Sequence, residues 1–223
     1  TLFAFSTDEW FGHMDVQDQA PGSGILDVAL GRLPAASADE AGFLVDKVMA
    51  YEAEAPHDEW RHRLILVADD ENSSVSSCEQ EWTVESEEVT REYAPEYMAI
   101  QKIYLTEYPA IAGVKPTSRF AFLEAWNEGT LLINYIGHGS SVQMADEQVF
   151  LGSDVSQLVN GLRLPVVMAF SCTIGDFANP AGKSLSEKLL LREGGGGIGT
   201  ITASRETYPG PNQRVCYSLF EEM

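Results

Sequence analysis

A histidine and a cysteine follow two short apolar runs of this chain. The run Leu131–Ile136 leads to His138, which lies between two glycines, and the run Pro165–Phe170 leads to Cys172. Each run predicts a buried strand that ends where the glycines and polar residues begin. In open parallel sheets the functional crevice lies at the carboxyl ends of the strands. If these two strands are neighbours, an imidazole and a thiol meet across that crevice, as nucleophilic catalysis by cysteine requires.

The surroundings of both residues favour a role in catalysis over a structural one. A lone histidine in a glycine turn is usually incidental, and a lone cysteine is usually a buried core residue. Here the glycines beside His138 leave backbone N–H groups uncovered, and Cys172 lies after its apolar run instead of within it. We therefore predict Cys172 as the nucleophile and His138 as the general base. The N–H groups of Gly139 and Cys172 are the predicted oxyanion donors.

An acidic cluster, Asp69-Asp70-Glu71, follows another predicted strand, Leu64–Ala68. Such a cluster is often only a solvated helix cap. Three functions compete with that interpretation: an acid that orients His138, a divalent-cation site, or the acidic pair of a phospho-receiver domain. A receiver needs a phospho-accepting aspartate at the end of a later strand, but the next strand here ends Tyr104-Leu105-Thr106-Glu107. The receiver is therefore set aside, and the other two functions stay open.

The composition limits the classes of partner. The 223 residues carry a net charge of −20, which repels phosphate backbones and argues against a nucleic-acid partner. The three cysteines, Cys78, Cys172 and Cys216, fit neither a disulfide scaffold nor a zinc motif, and Cys78 and Cys216 are predicted to be structural. The chain begins at Thr1 without an initiator Met and ends within a predicted helix. We therefore expect an internal piece of a longer polypeptide, with both flanks missing.

The remaining chain alternates strands and helices. Further strands are predicted over Ile25–Leu30, Leu64–Ala68, Tyr97–Leu105 and Ile198–Ala203. Two helices are predicted to begin with a capping box, Ser37 with Glu40 and Ser184 with Glu187. Two more are predicted from the cap Thr117 to Asn127, with Gly129 beyond, and from the cap Asp154 to Gly161. The others are predicted over Trp82–Tyr93 and from Asn212. Repeated βα units imply one α/β domain over residues 1–223, with a parallel sheet and helices on both faces.

The strings around His138 and Cys172 resemble those of gingipain-type cysteine peptidases. The matching pieces are NYIGHGS over 134–140 and AFSCTIGDF over 169–177, with DEWFG, VALGRLP and DKVMAYE farther upstream. The resemblance implies a caspase-like α/β fold, a parallel-sheet sandwich with helices on both faces. It also implies that His138 is the general base and Cys172 the nucleophile of an endopeptidase.

The resemblance implies further site residues. It places the acid that orients the histidine at Asp70, with Glu71 as the next choice, and it puts Glu81 near the base of the primary specificity pocket. Ser204 and Arg205, which follow the last predicted strand, are candidates for that pocket and equally for a plain surface loop. The peptidase chemistry requires no cofactor and no catalytic metal. The acid-rich chain leaves room for a structural calcium ion, which some relatives bind.

Within the family, two pieces of this chain are closer to the sortase of the type IX secretion system than to the Arg- or Lys-specific gingipains. These pieces are Val67–Asp70 and Ser204-Arg205. That resemblance implies protein substrates, namely the C-terminal sorting signals of exported proteins, and other secretion-system components as partners. It implies a location at the outer-membrane surface of a bacterium. A cysteine peptidase forms an acyl-thioester between its nucleophile and the substrate. Whether water or an amine then cleaves this intermediate stays open, because that depends on which acceptor reaches the crevice.

Two other functions remain as alternatives to a cysteine peptidase. A non-catalytic relative would keep the fold as a binding or assembly module, although intact His138 and Cys172 argue against it. A metal-dependent hydrolase would use Asp69, Asp70 and His138 as ligands.

Overall fold

A computed structural model of the chain describes residues 7–14, 26–70 and 82–223. The strands are β1 Arg63–Ala68, β2 Ala99–Tyr104, β3 Leu132–Ile136, β4 Gln143–Met144, β5 Phe150–Leu151, β6 Val166–Phe170 and β7 Gly199–Thr202. The helices are α1 Ala38–Glu54, α2 Trp82–Glu88, α3 Pro116–Glu128, α4 Leu185–Leu190 and α5 Pro209–Glu221. A π-helical turn, Val89–Tyr93, continues α2, and short 3-10 turns lie at Glu9–Gly12, Glu59–His62, Leu105–Glu107 and Asp154–Gln157.

Five parallel strands form the main sheet, in the order β2-β1-β3-β6-β7. The chain moves from β1 outward to β2 and then returns to the other side of β1 for β3. This reversal places a topological switch point between β1 and β3, where the carboxyl ends of the two strands leave a crevice. The predicted parallel sheet is confirmed, and so is the pairing of the strands that lead to His138 and Cys172.

Both faces of the sheet are covered, because side chains alternate along each strand. One core cluster joins Ile65 and Val67 of β1 to Trp126 of α3 and to helix α4. The other joins Leu64 and Leu66 to α2 and α5. The three central strands, β1, β3 and β6, therefore consist almost entirely of apolar residues, as their continuous apolar runs predicted. No helix in residues 7–14, 26–70 and 82–223 is long and apolar enough to cross a membrane.

Two predicted helix caps are confirmed by their hydrogen bonds. The Ser37 hydroxyl accepts from the Glu40 N–H at the start of α1. The Glu40 carboxylate accepts in turn from the N–H of Ala36 instead of that of Ser37. Ser184 and Glu187 form a complete capping box at the start of α4. Both helices therefore begin where the sequence indicates.

Other predicted boundaries are wrong for identifiable reasons. Helix α3 begins at Pro116, not after a Thr117 cap, because proline is well suited to the first helical position. The Asp154 carboxylate does not cap a helix. The carboxylate is fully buried, forms a salt bridge with Arg119 and accepts a hydrogen bond from the Leu151 N–H. Helix α5 likewise starts at Pro209, three residues before Asn212.

The predicted strand Ile25–Leu30 is not a strand over 26–30, and residue 25 lies outside the described residues. On α1, Leu44 is buried, whereas Val45 and Met49 are exposed. The antiparallel pair β4–β5 was not predicted, because strands of two residues carry no periodic signal.

A lysine joins α1 to the segment that precedes β7. The Lys47 ammonium donates to the carbonyl oxygens of Leu190 at 2.9 Å, Arg192 at 3.1 Å and Gly195 at 2.9 Å, with Leu189 at 3.5 Å. These are carbonyls at the end of α4 and just beyond it, where a cation is favoured. Burial and the charge of Arg192 lower the pKa of Lys47 to about 8, so the side chain is still mostly charged at neutral pH.

We expect Lys47→Met to lower the free energy of unfolding by about 2 kcal/mol, since buried carbonyls lose a charged donor. Chemical denaturation at pH 7 measures this loss. The matched control is Lys183→Met, which removes the half-exposed pair with Glu40 and should cost about 0–1 kcal/mol. Equal losses in the two variants would contradict the structural role of Lys47.

Candidate active site

The backbone of His138 is held from both sides at the switch point. Its N–H donates to the Asp69 carboxylate at 2.8 Å, and its carbonyl oxygen accepts from the Tyr135 hydroxyl and from the Ala145 N–H at 2.9 Å. Asp69 follows β1, and Tyr135 lies in β3. Two neighbouring strands thus fix the position of the histidine, independently of its imidazole.

The glycines beside His138 permit close packing around it. A side chain at Gly137 would collide with the Asp69 side chain, and one at Gly139 would collide with the Ser171 hydroxyl. Gly139 lies opposite Met144 of β4 in an antiparallel bridge. The hydrogen bonds of this bridge are made by the residues on either side of Gly139, so its own N–H is not used. Among the described residues, no acceptor takes the N–H of Gly139 or of Cys172. Both groups are therefore available as the predicted oxyanion donors, and that role stays a proposal.

Cys172 lies on a sharply turned segment beyond β6. The next residue, Thr173, has a left-handed backbone with φ 52°, which is unfavourable for a β-branched residue. The Thr173 N–H donates to the Arg205 carbonyl at 3.1 Å, and the Gly175 N–H donates to the Ala203 carbonyl at 2.9 Å. The segment after β7 thus supports the turn that presents the half-buried thiol.

His138 and Cys172 line the same two cavities at the carboxyl edge of the sheet. One cavity is about 230 Å³ and the other about 460 Å³. The described residues show no hydrogen bond between the two side chains. The imidazole packs edge-on against the Trp82 ring, with 4.8 Å between the ring centroids. Its buried Nε2 has no hydrogen-bond partner in the described part of the chain. Catalytic hydrogen bonds often form only when substrate is bound, so this geometry is compatible with a catalytic pair.

The resemblance implied that Asp70 orients the imidazole, but no hydrogen bond among the described residues joins the two side chains. The Asp70 carboxylate instead pairs with the buried ammonium of Lys115, which also donates to the Leu105 carbonyl at 2.6 Å. This pairing satisfies two charges that would otherwise be costly to bury. Glu71 and Glu81 lie outside the described residues, so their roles stay predictions.

Asp69 is the acid that accepts a hydrogen bond from the backbone of the proposed general base. Burial is the largest influence on its carboxyl, and with the neighbouring charges of Glu147 and Asp70 it raises the pKa of Asp69 to about 8. Hydrogen bonds from the N–H groups of His138 and Asp70 oppose that shift. Asp69 therefore acts on the backbone of the histidine and is half-protonated near pH 8.

One group of carboxylates in residues 7–14, 26–70 and 82–223 has the spacing of a metal site. Asp69, Asp70 and Glu147 offer ligand atoms within 4.8 Å of one another. His138 does not belong to the group, and Lys115 already donates to Asp70. The alternative of a hydrolase with Asp69, Asp70 and His138 as metal ligands is therefore not supported by the geometry. A structural calcium ion stays a prediction.

A buried carboxyl in the smaller cavity was not predicted from the sequence. Glu85 lines the cavity of about 230 Å³ together with Trp82, His138 and Cys172. Burial, with the charge of Glu88, raises the pKa of Glu85 to about 7. The spacing of Trp82 and Glu85 on one helix face could have indicated this position. However, no sequence motif near Trp82 and Glu85 indicates that this helix face borders the crevice.

Ser204 and Arg205 do not line the cavities that His138 and Cys172 share. They line a third cavity of about 490 Å³ on the other side of the Cys172 turn, together with Gly175 and Thr207. Thr207 was not predicted as a site residue, yet it borders all three cavities. It was missed because nothing in the sequence indicates how the segment after β7 folds back over Cys172.

Comparison with known proteins agrees with this architecture. The sequence profile of Peptidase family C25 matches residues 2–223. Gingipain R2 of Porphyromonas gingivalis is 28% identical over 152 residues, which cover 68% of this chain and 19% of that protein. Gingipain R1 of the same species is also 28% identical over 152 residues, which cover 68% of this chain and 14% of that protein.

Solved structures show the same fold. The Arg-specific cysteine proteinase gingipain R (RgpB) superimposes with a TM-score of 0.73 at 23% identity, covering 93% of this chain and 46% of that one. The complex of the Porphyromonas gingivalis RgpB pro- and mature domains gives 0.70 at 22% identity, covering 94% and 47%. The chain therefore spans less than half of these solved relatives and a smaller share of the gingipains it matches. The predicted gingipain-like α/β fold is confirmed.

The raised pKa of Asp69 makes a pH-dependent prediction for Asp69→Asn. A raised carboxyl pKa adds stability that is full below the unfolded pKa of about 4 and is lost as the pH rises to about 8. The asparagine variant lacks this titration. We therefore expect the unfolding free energy of the wild type minus that of the variant to fall by about 2–4 kcal/mol between about pH 5 and 8.

Denaturation series at several pH values measure this difference. Asp58→Asn, at an exposed surface pair with Arg163, controls for removal of one negative charge. A pH-independent difference for Asp69→Asn would show that Asp69 stays charged in the folded chain, contrary to the expectation.

Proposed function

Because this chain belongs to peptidase family C25, we propose that it is a cysteine endopeptidase with Cys172 as nucleophile and His138 as general base. One observation carries the proposal. Strands β3 and β6 pair in register, with Ile136 opposite Phe170, and each reactive residue lies two positions beyond that last pair. The imidazole and the thiol therefore reach the same cavities from neighbouring strands.

The proposed reaction uses groups that the structure brings to this edge. The Cys172 sulfur attacks a peptide carbonyl while His138 takes the thiol proton and later gives it to the leaving amine. The N–H groups of Gly139 and Cys172 bind the oxyanion. Asp69 and Tyr135 hold the histidine backbone while its side chain changes protonation state. The chemistry requires no cofactor.

The cavity of about 230 Å³ is the proposed site for the substrate side chain next to the scissile bond. Its walls are aromatic at Trp82 and Tyr208, and its polar groups include the buried Glu85 carboxyl and the Ser171 hydroxyl, which has no partner in the described residues. Unpartnered buried polar groups favour a ligand that can hydrogen-bond them. We therefore favour an extended side chain with a donor at its end.

A finer proposal concerns the natural substrates. The similarity of Val67–Asp70 and Ser204-Arg205 to the type IX secretion sortase supports C-terminal sorting signals of exported proteins as substrates, at the outer-membrane surface. Other secretion components would then be its partners. The cavity beside Ser204 and Arg205 adjoins the Cys172 turn through Thr207 and offers space for an amine acceptor. An amine that reaches the acyl-thioester before water would make the enzyme a transpeptidase.

Peptide cleavage by matched cysteine variants tests this function. We expect Cys172→Ala to lower the turnover of C-terminal sorting-signal peptides by at least roughly a thousandfold, since the nucleophile is lost. Cys216→Ala is the control, because Cys216 is buried and its thiol donates to Asn134 at 3.6 Å, away from the cavities. Mass spectrometry of the products, with and without a glycine amide acceptor, separates hydrolysis from aminolysis.

Each outcome of that experiment bears on a different part of the proposal. Aminolysis products would support the transpeptidase, and water products alone would contradict it while leaving the peptidase intact. Cleavage that survives Cys172→Ala would overturn the cysteine peptidase. A folded chain that cleaves no peptide, whether wild type or variant, would favour the non-catalytic module instead.

A further inference from the structure

Among the described residues, the polar contacts of the Cys172 sulfur come from Thr207, on the loop between β7 and α5. The Thr207 N–H donates to Sγ at 3.5 Å, and the Thr207 carbonyl oxygen lies 3.5 Å from the same sulfur. The Thr207 hydroxyl oxygen is 3.9 Å away. One residue thus offers the sulfur a carbonyl acceptor for the S–H of a thiol and, in its N–H and hydroxyl, two groups that can donate to a thiolate.

The direction of the Thr207 hydroxyl is set from helix α5. The side-chain amide of Asn212 donates to Thr207 Oγ1 at 2.9 Å. A hydroxyl has one proton and two acceptor lone pairs, so this bond occupies an acceptor position and leaves the proton to donate elsewhere. Within the described residues, the other polar atom beside this hydroxyl is Cys172 Sγ at 3.9 Å, a contact in which either atom can donate. The amide of Asn212 therefore turns the hydroxyl proton toward the sulfur.

The loop that carries Thr207 is fixed to the turn that carries Cys172. The Arg205 and Ala203 carbonyls accept from the N–H groups of Thr173 and Gly175, one and three residues after the cysteine. Asn212 lies in the first turn of α5, where its own N–H donates to the Tyr208 carbonyl at 3.1 Å and so fixes the residue beside the loop. The loop reaches the sulfur through Thr207, and α5 holds Thr207 through Asn212, so the contact is built into the fold.

We propose that Asn212 and Thr207 are positioning residues that form a hydrogen-bond relay and hold Cys172 as a thiolate. The thiol form donates its S–H to the Thr207 carbonyl. When His138 takes that proton, the sulfur accepts from the Thr207 N–H and hydroxyl without leaving its place. The proposal rests on the role of Cys172 as nucleophile and adds a device that no part of the peptidase mechanism above uses.

Other charged or titratable groups also face the sulfur. They are His138 beyond β3, Glu85 on α2, Asp146 and Glu206 at the rim of the larger cavity, and Tyr208 beside the relay. All five are present in every Thr207 and Asn212 variant. Their influence therefore cancels when the variants are compared with one another at a given pH.

Alkylation of Cys172 by iodoacetamide, followed by peptide mass spectrometry from about pH 5 to 9, measures the relay directly. Thr207→Val keeps the shape but removes the hydroxyl, and we expect roughly 3- to 10-fold slower alkylation near pH 6 with an unchanged plateau at high pH. Thr207→Ser keeps the hydroxyl and should stay within about twofold of wild type. A purely structural role for Thr207 would change the plateau or the melting temperature instead.

Asn212→Asp reverses the proposed relay with an isosteric side chain. A carboxylate accepts only, so it draws the Thr207 proton away from the sulfur, and alkylation near pH 6 should be slower than in Asn212→Ala. The new charge also acts on the sulfur by itself. The double variant with Thr207→Val isolates this Coulomb effect, because the hydroxyl is then absent.

The results separate the relay from the proposed function. An effect of Asn212→Asp that is much smaller in the Thr207→Val background supports the relay, and an equal effect in both backgrounds overturns it. A wild-type profile for Thr207→Val also overturns it, even if Cys172→Ala abolishes peptide cleavage. Loss of cleavage dependence on Cys172 would instead overturn the peptidase, whatever the alkylation profiles show.

Discussion

The in-register parallel pairing of β3 with β6 is the constraint on which the site depends. Five residue pairs, from Leu132–Val166 to Ile136–Phe170, end the two strands at the same level. Both strands are buried between helical layers, so a shift in register would move apolar side chains out of their core and is strongly disfavoured. The separation of the imidazole and the thiol is therefore set by backbone hydrogen bonds and core packing, before any contact between the two side chains.

Polar groups beneath the crevice then fix the histidine at a cost in charge burial. Three carboxylates, Asp69, Asp70 and Glu147, lie close together at the switch point, where Lys115 pairs with Asp70. One ammonium cannot neutralise three carboxylates, and burial raises the pKa of both Asp69 and Glu147. The fold tolerates this arrangement because Asp69 provides the acceptor that the His138 N–H needs.

Sequence predicted the parts of the site that depend on local pattern. Continuous apolar runs that end in glycine and polar residues identified β3 and β6, so His138 and Cys172 were placed at the correct edge. The pairing of Asp70 with Lys115 was not predicted, because Lys115 comes from a segment 45 residues away. Thr207 was invisible for the same reason, since its contact with the sulfur spans 35 residues. Side-chain partners across such distances follow from packing, which no local spacing encodes.

The pH dependence of Cys172 alkylation in the wild type and in His138→Ala tests the central claim most directly. A working pair predicts that Cys172 reacts rapidly below about pH 7, well under the unperturbed thiol value of ~8.5, and that it slows when His138 is removed. Cys216, whose pKa burial raises to about 12, should stay unreactive in the same folded sample. Alkylation of Cys172 at the rate of an ordinary thiol, with no change in His138→Ala, would contradict the account.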